Sequence, residues 1–240
     1  MPKHNRDLSI KLKWGFIMAE CAWCGSKGFF LSVDRNKLCK RCQSQIYLEF
    51  QQRLRIIQDS QKLIEKSKNF KTRISRIDVL IEHVRALKQY EEKNISTLEP
   101  VPSECEKNYL GLKNELIYED IVSSIEKTMN KAKLGLSAKT KMNEANKAIL
   151  TIMERRGELQ EEDKIKNLKK TEKDIRDFIH QAQLDDYIES AKKAEFKGQK
   201  SKALDKYQEA LYFLQTDEID DALQKENIEE IKKKIKELTE

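Results

Sequence analysis

The chain contains 240 residues, of which 38% are hydrophobic and 37% are charged, and it has only 7 glycines and 3 prolines. Sandwiches, barrels and doubly wound sheets need frequent glycine, proline and asparagine residues in the turns between their short strands. The composition therefore argues against a sheet-rich fold. Because the apolar residues recur at helical spacing, the sequence predicts a mainly α-helical protein whose long helices bury narrow apolar stripes.

The charge is unevenly distributed along the chain, although the formal net charge is only +6. Residues 1–98 contain 20 lysine and arginine residues against 10 aspartate and glutamate residues, whereas residues 99–240 contain 27 against 31. A basic first half suits phosphate groups or an acidic partner, and an acidic second half would repel nucleic acid.

Residues 1–19 carry no clear targeting signal. Their apolar run at 14–18 is too short for the hydrophobic region of a signal peptide, and no stretch of the chain approaches the 18 apolar residues of a membrane span. We therefore predict a disordered N-terminal extension over 1–19 and no contact with a membrane. Cysteine pairs in a chain without a secretory signal favour a reducing compartment, so we expect a cytoplasmic protein.

Four of the five cysteines lie within 22 residues and have the spacing C-x2-C-x14-C-x2-C. Each C-x2-C turn directs two thiolates to one point, and two such turns suit the tetrahedral coordination of Zn²⁺. All four ligands would be sulfur, so no coordination position is left for a catalytic water. We predict a structural zinc site, with an iron–sulfur cluster as the alternative because four thiolates suit both. The predicted ligands are Cys21, Cys24, Cys39 and Cys42.

Between the two cysteine pairs, alternating residues over 29–34 predict a short strand, and residues 34–37 are typical of a turn. A long helical pattern begins directly after Cys42. A knuckle with Gly25, a hairpin and a second knuckle that opens a helix resemble the treble-clef zinc finger, the arrangement of GATA-type and LIM-type fingers. The resemblance covers residues 20–50 and implies bound zinc. Members of that fold group bind DNA, RNA, ubiquitin or other proteins, so the resemblance identifies no target.

Residues 43–94 contain no glycine or proline, and their apolar residues recur every three or four positions. The phase of this stripe breaks between Ile64 and Phe70, so residues 43–98 are predicted to form one long basic helix or a kinked helical pair that turns at 67–69. One long stripe needs a partner, either another helix of this chain or a second copy in a homodimer. Around the break, six basic residues either contact nucleic-acid phosphates or form the solvated face of a coiled coil, namely Lys62, Lys66, Lys68, Lys71, Arg73 and Arg76.

The prolines at 100 and 102 predict the clearest domain boundary, because both stop helices. Ser103 and Glu106 then have the spacing of a capping box that begins the next helix. Further apolar stripes predict a helical scaffold over 103–182, in which one helix ends near Gly135 and Ser137 caps the next. We expect these helices to pack as antiparallel partners of the first long helix or to extend as coiled-coil arms.

Residues 184–214 carry a second pattern, in which small and aromatic residues recur at Tyr187, Ala191, Gly198, Ala203, Tyr207, Ala210 and Leu211. In type and spacing these residues resemble a tetratricopeptide repeat, where alanines allow two helices to cross closely and a glycine makes the turn. Ala194 departs from the pattern, since the repeat usually has an aromatic residue there. The proline expected after the second helix is also absent.

A further apolar stripe over 224–238 completes a predicted three-helix bundle at 183–240, which also resembles microtubule-interacting-and-transport domains. Both families bind peptides or helices in grooves, which implies a protein partner. The net charge of −4 over 183–240 favours basic ligands. A capping bundle without a ligand is the alternative, because one repeat cannot build a concave groove. The candidate partner-binding residues are Tyr187, Tyr207 and Tyr212.

Motifs of catalysis are missing from the sequence. It contains no glycine-rich phosphate loop, no H-E-x-x-H and no G-x-S-x-G, and glutamates beside Cys105 oppose thiolate formation. We therefore predict a non-enzymatic, zinc-binding helical adaptor that mediates protein–protein interaction. The alternative is a zinc-finger regulator that binds nucleic acid with its basic N-terminal half and dimerises through its long helices.

Overall fold

A computed structural model of the chain describes residues 18–217, 222 and 224–240. The fold is mainly helical, as predicted. A two-stranded antiparallel hairpin precedes the helices, and it consists of β1 (Ala19–Glu20) and β2 (Lys27–Gly28). The helices are α1 (Lys40–Lys66), α2 (Phe70–Glu91), α3 (Pro102–Lys133), α4 (Ala138–Arg155), α5 (Glu162–Phe196), α6 (Lys200–Thr216) and α7 (Lys225–Thr239). Residues 1–17 of the predicted disordered extension lie outside the described residues, whereas Ala19 already belongs to β1.

The chain forms two compact units, of which the first ends at Lys113 and the second begins at Asn114. Neither predicted boundary coincides with this division. Pro102 is the first residue of α3, where a missing N–H removes no helical hydrogen bond, so it starts a helix, and the two compact units divide further along at residue 114. The boundary predicted between 182 and 183 falls inside α5, which is continuous because no glycine or proline interrupts it.

In the first unit, α1 and α2 form an antiparallel helical hairpin, which is the kinked pair among the two predicted alternatives. Asn69 caps α2, since its side chain accepts a hydrogen bond from the backbone N–H of Thr72 at 3.0 Å. Near the other end of the hairpin, the Tyr90 hydroxyl donates to Glu49 at 2.6 Å. The core of the hairpin comes from the predicted apolar stripes and includes the fully buried side chains of Ile77, Leu80, Val84 and Leu87.

The start of α3 is not the predicted capping box. The backbone N–H and the hydroxyl of Ser103 both donate to the Glu91 carboxylate, at 2.8 and 2.5 Å. Glu106 instead pairs with Arg85 and Lys88 of α2. The capping box fails because Pro102 already occupies the first helical position, so Ser103 lies inside the helix and not before it.

The second unit contains α4 to α7 together with α3 from Asn114 onward. Ser137 caps α4, as predicted, by accepting a hydrogen bond from the N–H of Thr140 at 3.2 Å. Gly198 makes the tight turn between α5 and α6 with a φ of +69°, a conformation that costs other residues more. Alanines with no exposed surface allow these two helices to approach closely, namely Ala191, Ala203 and Ala210. α7 closes this core with Ile228 and Ile231.

Candidate metal centre

The β1–β2 hairpin and the start of α1 bring the four predicted ligands together. Cys21 and Cys24 lie in the turn between the strands, Cys39 is the N-cap residue of α1, and Cys42 lies in its first turn. All four sulfur atoms lie within 4.8 Å of one another, so they form a group that could hold a metal ion. Cys21, Cys39 and Cys42 are buried, whereas Cys24 is exposed.

Local backbone geometry explains why C-x2-C forms this turn. The Gly25 N–H donates to the Cys21 carbonyl at 2.9 Å, and the Cys21 N–H donates to the Ser26 carbonyl at 2.9 Å. Gly25 closes the turn with a φ of +69°, a value that a glycine adopts without strain. The backbone hydrogen bonds of the turn leave both cysteine side chains on one side of it, where they meet the second pair.

Hydrogen bonds and burial set different proton affinities for the four thiols of the metal-free protein. Hydrogen bonds from the side chain and backbone of Ser26 lower the pKa of Cys24 to about 6. Burial raises the pKa of Cys42 to about 12. At Cys21 burial also opposes ionisation, but backbone N–H groups, including that of Cys39 at 3.3 Å, hold its pKa below the ordinary value. Burial favours the neutral thiol, whereas a bound cation would favour the charged thiolate and so oppose the effect of burial. Cysteines coordinate a metal only as thiolates, after losing their protons.

Four thiolates around one ion fill a tetrahedral coordination shell with protein ligands. Such a closed site stabilises a fold and leaves no coordination position for a substrate or an activated water. The stabilisation matters here because the finger has few other buried side chains. Within 18–46 the buried hydrophobic residues other than cysteines are Leu38 and Ile46.

The loop after α2 holds the finger against the helical hairpin. The ring of Trp23 packs against that of Tyr90 with a centroid distance of 4.9 Å and an interplanar angle of 37°. The ammonium of Lys93 lies 4.7 Å from the Trp23 ring and donates to the Trp23 carbonyl at 3.1 Å. Asn36 exchanges hydrogen bonds with the backbone of Ser96 at 3.2 and 3.4 Å. The finger is therefore fixed to α2 and to the loop that follows it by contacts of Trp23, in the first cysteine turn, and of Asn36, shortly before the second.

Two adjacent phenylalanines of the finger have largely exposed side chains. The predicted strand over 29–34 is wrong: β2 ends at Gly28, and Phe29 and Phe30 lie in the turn that follows. The side chain of Phe29 is 72% exposed and that of Phe30 is fully exposed. The sequence feature that could have predicted this exposed surface is the pair of adjacent aromatic residues, Phe29 and Phe30.

The predicted basic residues lie together at the tip of the α1–α2 hairpin. Arg73 is half-buried, whereas the remaining five are exposed. Within the described part of the chain, Lys62 is the single member of this set with an ion pair, a 3.8 Å contact with Asp59. The Nε atom of Arg73 is buried and has no hydrogen-bond partner there. The tip therefore presents positive charge that few carboxylates neutralise.

The three tyrosines proposed as partner-binding residues do not form one surface. Tyr207 is only 1% exposed and donates a hydrogen bond to Glu195 at 2.9 Å, so it belongs to the core and its assignment as a binding residue is wrong. Tyr187 is half-buried and its ring lies 5.8 Å from that of Phe213. Tyr212 is 70% exposed. The spacing that resembles a tetratricopeptide repeat identifies residues that pack between helices. For this reason it led to Tyr207, a core residue, as a candidate for partner binding.

Other reactive side chains lie far from the metal centre in sequence. The pKa of Cys105 is raised by its burial and by the charges of Glu104 and Glu91, so it stays a thiol. His180 contacts the carboxylate of Asp217 at 2.6 Å and stacks on Phe213. His83 contacts Arg53 at 3.3 Å.

No family model matches the chain, and comparison with curated proteins and with solved structures gives no significant match. Among the described residues, no helix combines the length and the apolar character needed to cross a bilayer.

Proposed function

We propose that this protein is a non-enzymatic, zinc-binding helical adaptor whose finger docks another protein. The observation that carries the proposal is the exposed pair Phe29 and Phe30 on a hairpin held by four cysteines. Aromatic residues anchor protein interfaces because they bury much apolar surface at low cost in side-chain entropy. Because Trp23 and Asn36 fix the finger to α2 and the loop after it, the backbone that carries the two phenylalanines needs little further ordering on binding.

Zinc is the metal that the ligand set favours, since four sulfur ligands with the spacing of two knuckles suit a structural zinc site. The position of Cys39 and Cys42 at the start of α1 supports the treble-clef resemblance of residues 20–50. A cytoplasmic location is proposed with it, because the cluster requires reduced thiols.

Metal analysis of protein purified without chelator tests the site. We expect about one zinc per chain, and loss of that zinc in Cys39→Ser. Cys105→Ser is the matched control, because Cys105 lies outside the cluster and should leave the zinc content unchanged. Iron together with visible absorbance would assign an iron–sulfur cluster instead.

A photo-crosslinking amino acid at position 30 of the zinc-loaded chain tests the docking role. We expect a partner that crosslinks from position 30 and not from position 150, since Leu150 is 53% exposed on α4 and serves as the control. With that partner purified, Phe29→Ser combined with Phe30→Ser should weaken binding by about 2 kcal/mol or more if these residues are hot spots. Unchanged affinity would refute the role of the two phenylalanines.

Nucleic-acid binding is a second candidate function, and the unneutralised positive charge at the hairpin tip favours it. The full-length chain should then bind single-stranded or duplex probes with an affinity that falls steeply as salt rises. Glutamate substitutions at Lys66, Lys68 and Lys71 should remove most of this binding. No binding at low salt would exclude this function. The proposed homodimer through the long helices is tested separately by a solution mass measurement.

A further inference from the structure

A groove lies between the end of α5 and the start of α6 in the second unit. Its volume is about 320 Å³. Lys193 and Lys197 form one wall, and Lys202 and Lys206 form the other. Lys202 and Lys206 are four residues apart on α6. Lys197 is the C-cap residue of α5 and its N–H donates to the Lys193 carbonyl at 3.3 Å, so this pair also has helical spacing and each pair points to one side. Ser190, Ala194 and Gln199 complete the lining.

The positive charge of this groove is only partly neutralised. Lys193 pairs with Glu189 at 3.2 Å and Lys206 pairs with Glu209 at 2.5 Å, both on the surface, where such pairs contribute little. Lys197 and Lys202 have no ion pair among the residues that the structure describes. Residues 190–206 contain six lysines against two acidic residues, although the bundle as a whole is acidic. The local charge is therefore opposite to the net charge that led us to expect basic ligands.

Ala194 lines the groove together with the four lysines, and it is only 3% exposed, so its methyl group lies at the floor of the depression. The resemblance to a tetratricopeptide repeat leads one to expect an aromatic side chain at this position. A methyl group occupies less space than an aromatic ring, so the lysine stems border an open depression.

We infer that this groove binds an acidic peptide segment in an extended conformation. Lysines four residues apart on a helix are separated by about 6 Å along its axis. Alternate side chains of an extended peptide lie on one side at about 6.5–7 Å, so successive carboxylates can reach successive lysines. A single phosphate needs donors that converge on one point, whereas these four ammonium groups are distributed along two walls. This surface is separate from the finger and does not depend on its proposed role.

Fluorescence anisotropy with the full chain tests the inference. The probe is a labelled peptide of six Glu-Ala repeats, and the same peptide with glutamine in place of glutamate is the control probe. We expect saturable binding of the acidic peptide at low salt. Lys197→Glu combined with Lys202→Glu should weaken it by about tenfold or more. Lys232→Glu combined with Lys233→Glu is the matched control, because it changes the net charge equally on the exposed face of α7 and should have less than about a twofold effect.

Lys197→Gln combined with Lys202→Gln removes the two positive charges without adding negative ones, and it should also weaken binding; circular dichroism checks that each variant keeps its helices. Three results would overturn the inference. The first is no saturable binding, and the second is an equal loss in the α7 control variant. The third is displacement of the peptide by inorganic tripolyphosphate or oligothymidine at a lower charge concentration than unlabelled peptide, which would assign the groove to phosphate ligands.

Discussion

Removing the metal should unfold the finger and leave most of the helices intact. The perturbation is addition of a strong chelator to the zinc-loaded chain. Leu38 and Ile46 together contribute about 3–6 kcal/mol from burial, whereas structural zinc contributes roughly 10–16 kcal/mol in small finger domains. Because the metal outweighs the apolar core of the finger at least about twofold on these figures, residues 19–39 should not stay folded without it.

The contacts of Trp23 are too weak to replace the metal. Its ring contact with Tyr90 contributes about 0.5–1.5 kcal/mol, and its contact with Lys93 about 0.5–1 kcal/mol. These contacts cannot offset the backbone entropy of the finger, which costs about 1–2 kcal/mol per ordered residue. Trp23 should therefore leave its position when the metal leaves.

Trp23 can report this change because the chain has only two tryptophans. In a Trp14→Phe background, chelation should shift the emission of Trp23 to longer wavelength, while the far-ultraviolet circular dichroism keeps most of its helical signal. Cys105→Ser in the same background should respond like the parent. Unchanged emission after verified metal loss would refute the reasoning, and so would a collapse of the whole helical signal.

Three further predictions concern the helices. Tyr207→Phe keeps the buried ring but removes the hydrogen bond to Glu195, so it should lower the free energy of unfolding in urea by about 1–2 kcal/mol, without reducing the binding of any partner. Glu106→Gln should lower stability by about 0.5–1 kcal/mol at neutral pH. Its two cationic partners lower the pKa of Glu106, so this contribution is present above the pKa of the unfolded carboxyl and is lost as the pH falls through the lowered value; the variant and the parent should converge in acid denaturation. In Gly198→Ala the added Cβ would have no atom within 4 Å, so the only strain would come from the positive φ. Thermal unfolding of this variant should show a free energy of unfolding lower by about 1–2 kcal/mol.

Local features of this chain could be predicted from the sequence, whereas contacts between distant segments could not. The C-x2-C pairs, the Asn69 and Ser137 caps and the Gly198 turn depend on neighbouring residues, and periodicity alone locates the helices. Whether Phe29 is buried depends on whether another layer of structure covers the finger. The alternating pattern of residues 29–34 is the same with or without such a layer, so it cannot predict burial. The contact between Trp23 and Lys93 joins residues 70 positions apart. No local pattern specifies a contact at that separation.

The lysine groove illustrates the same limit from another direction. Six lysines over 190–206 are visible in the sequence, and a charge run of this kind is ordinarily a solvated helix face. Only the antiparallel arrangement of α5 and α6 puts two lysine pairs on facing walls. Tyr207 belongs to the same buried cluster as Ile228 and Ile231 of α7, and the spacing within 184–214 does not reveal that α7 contributes to this core.

Zinc dependence separates the two proposed surfaces of this protein. Phe29 and Phe30 belong to a finger whose order depends on the metal, so chelation should abolish docking at that surface. The lysine groove is built from α5 and α6 and contains none of the cysteine ligands, so binding of an acidic peptide should survive chelation. A chain that lost both activities on chelation would require the metal to stabilise α5 and α6 as well, which their own apolar core makes unnecessary. Selective loss of finger docking is therefore the outcome that two compact units predict.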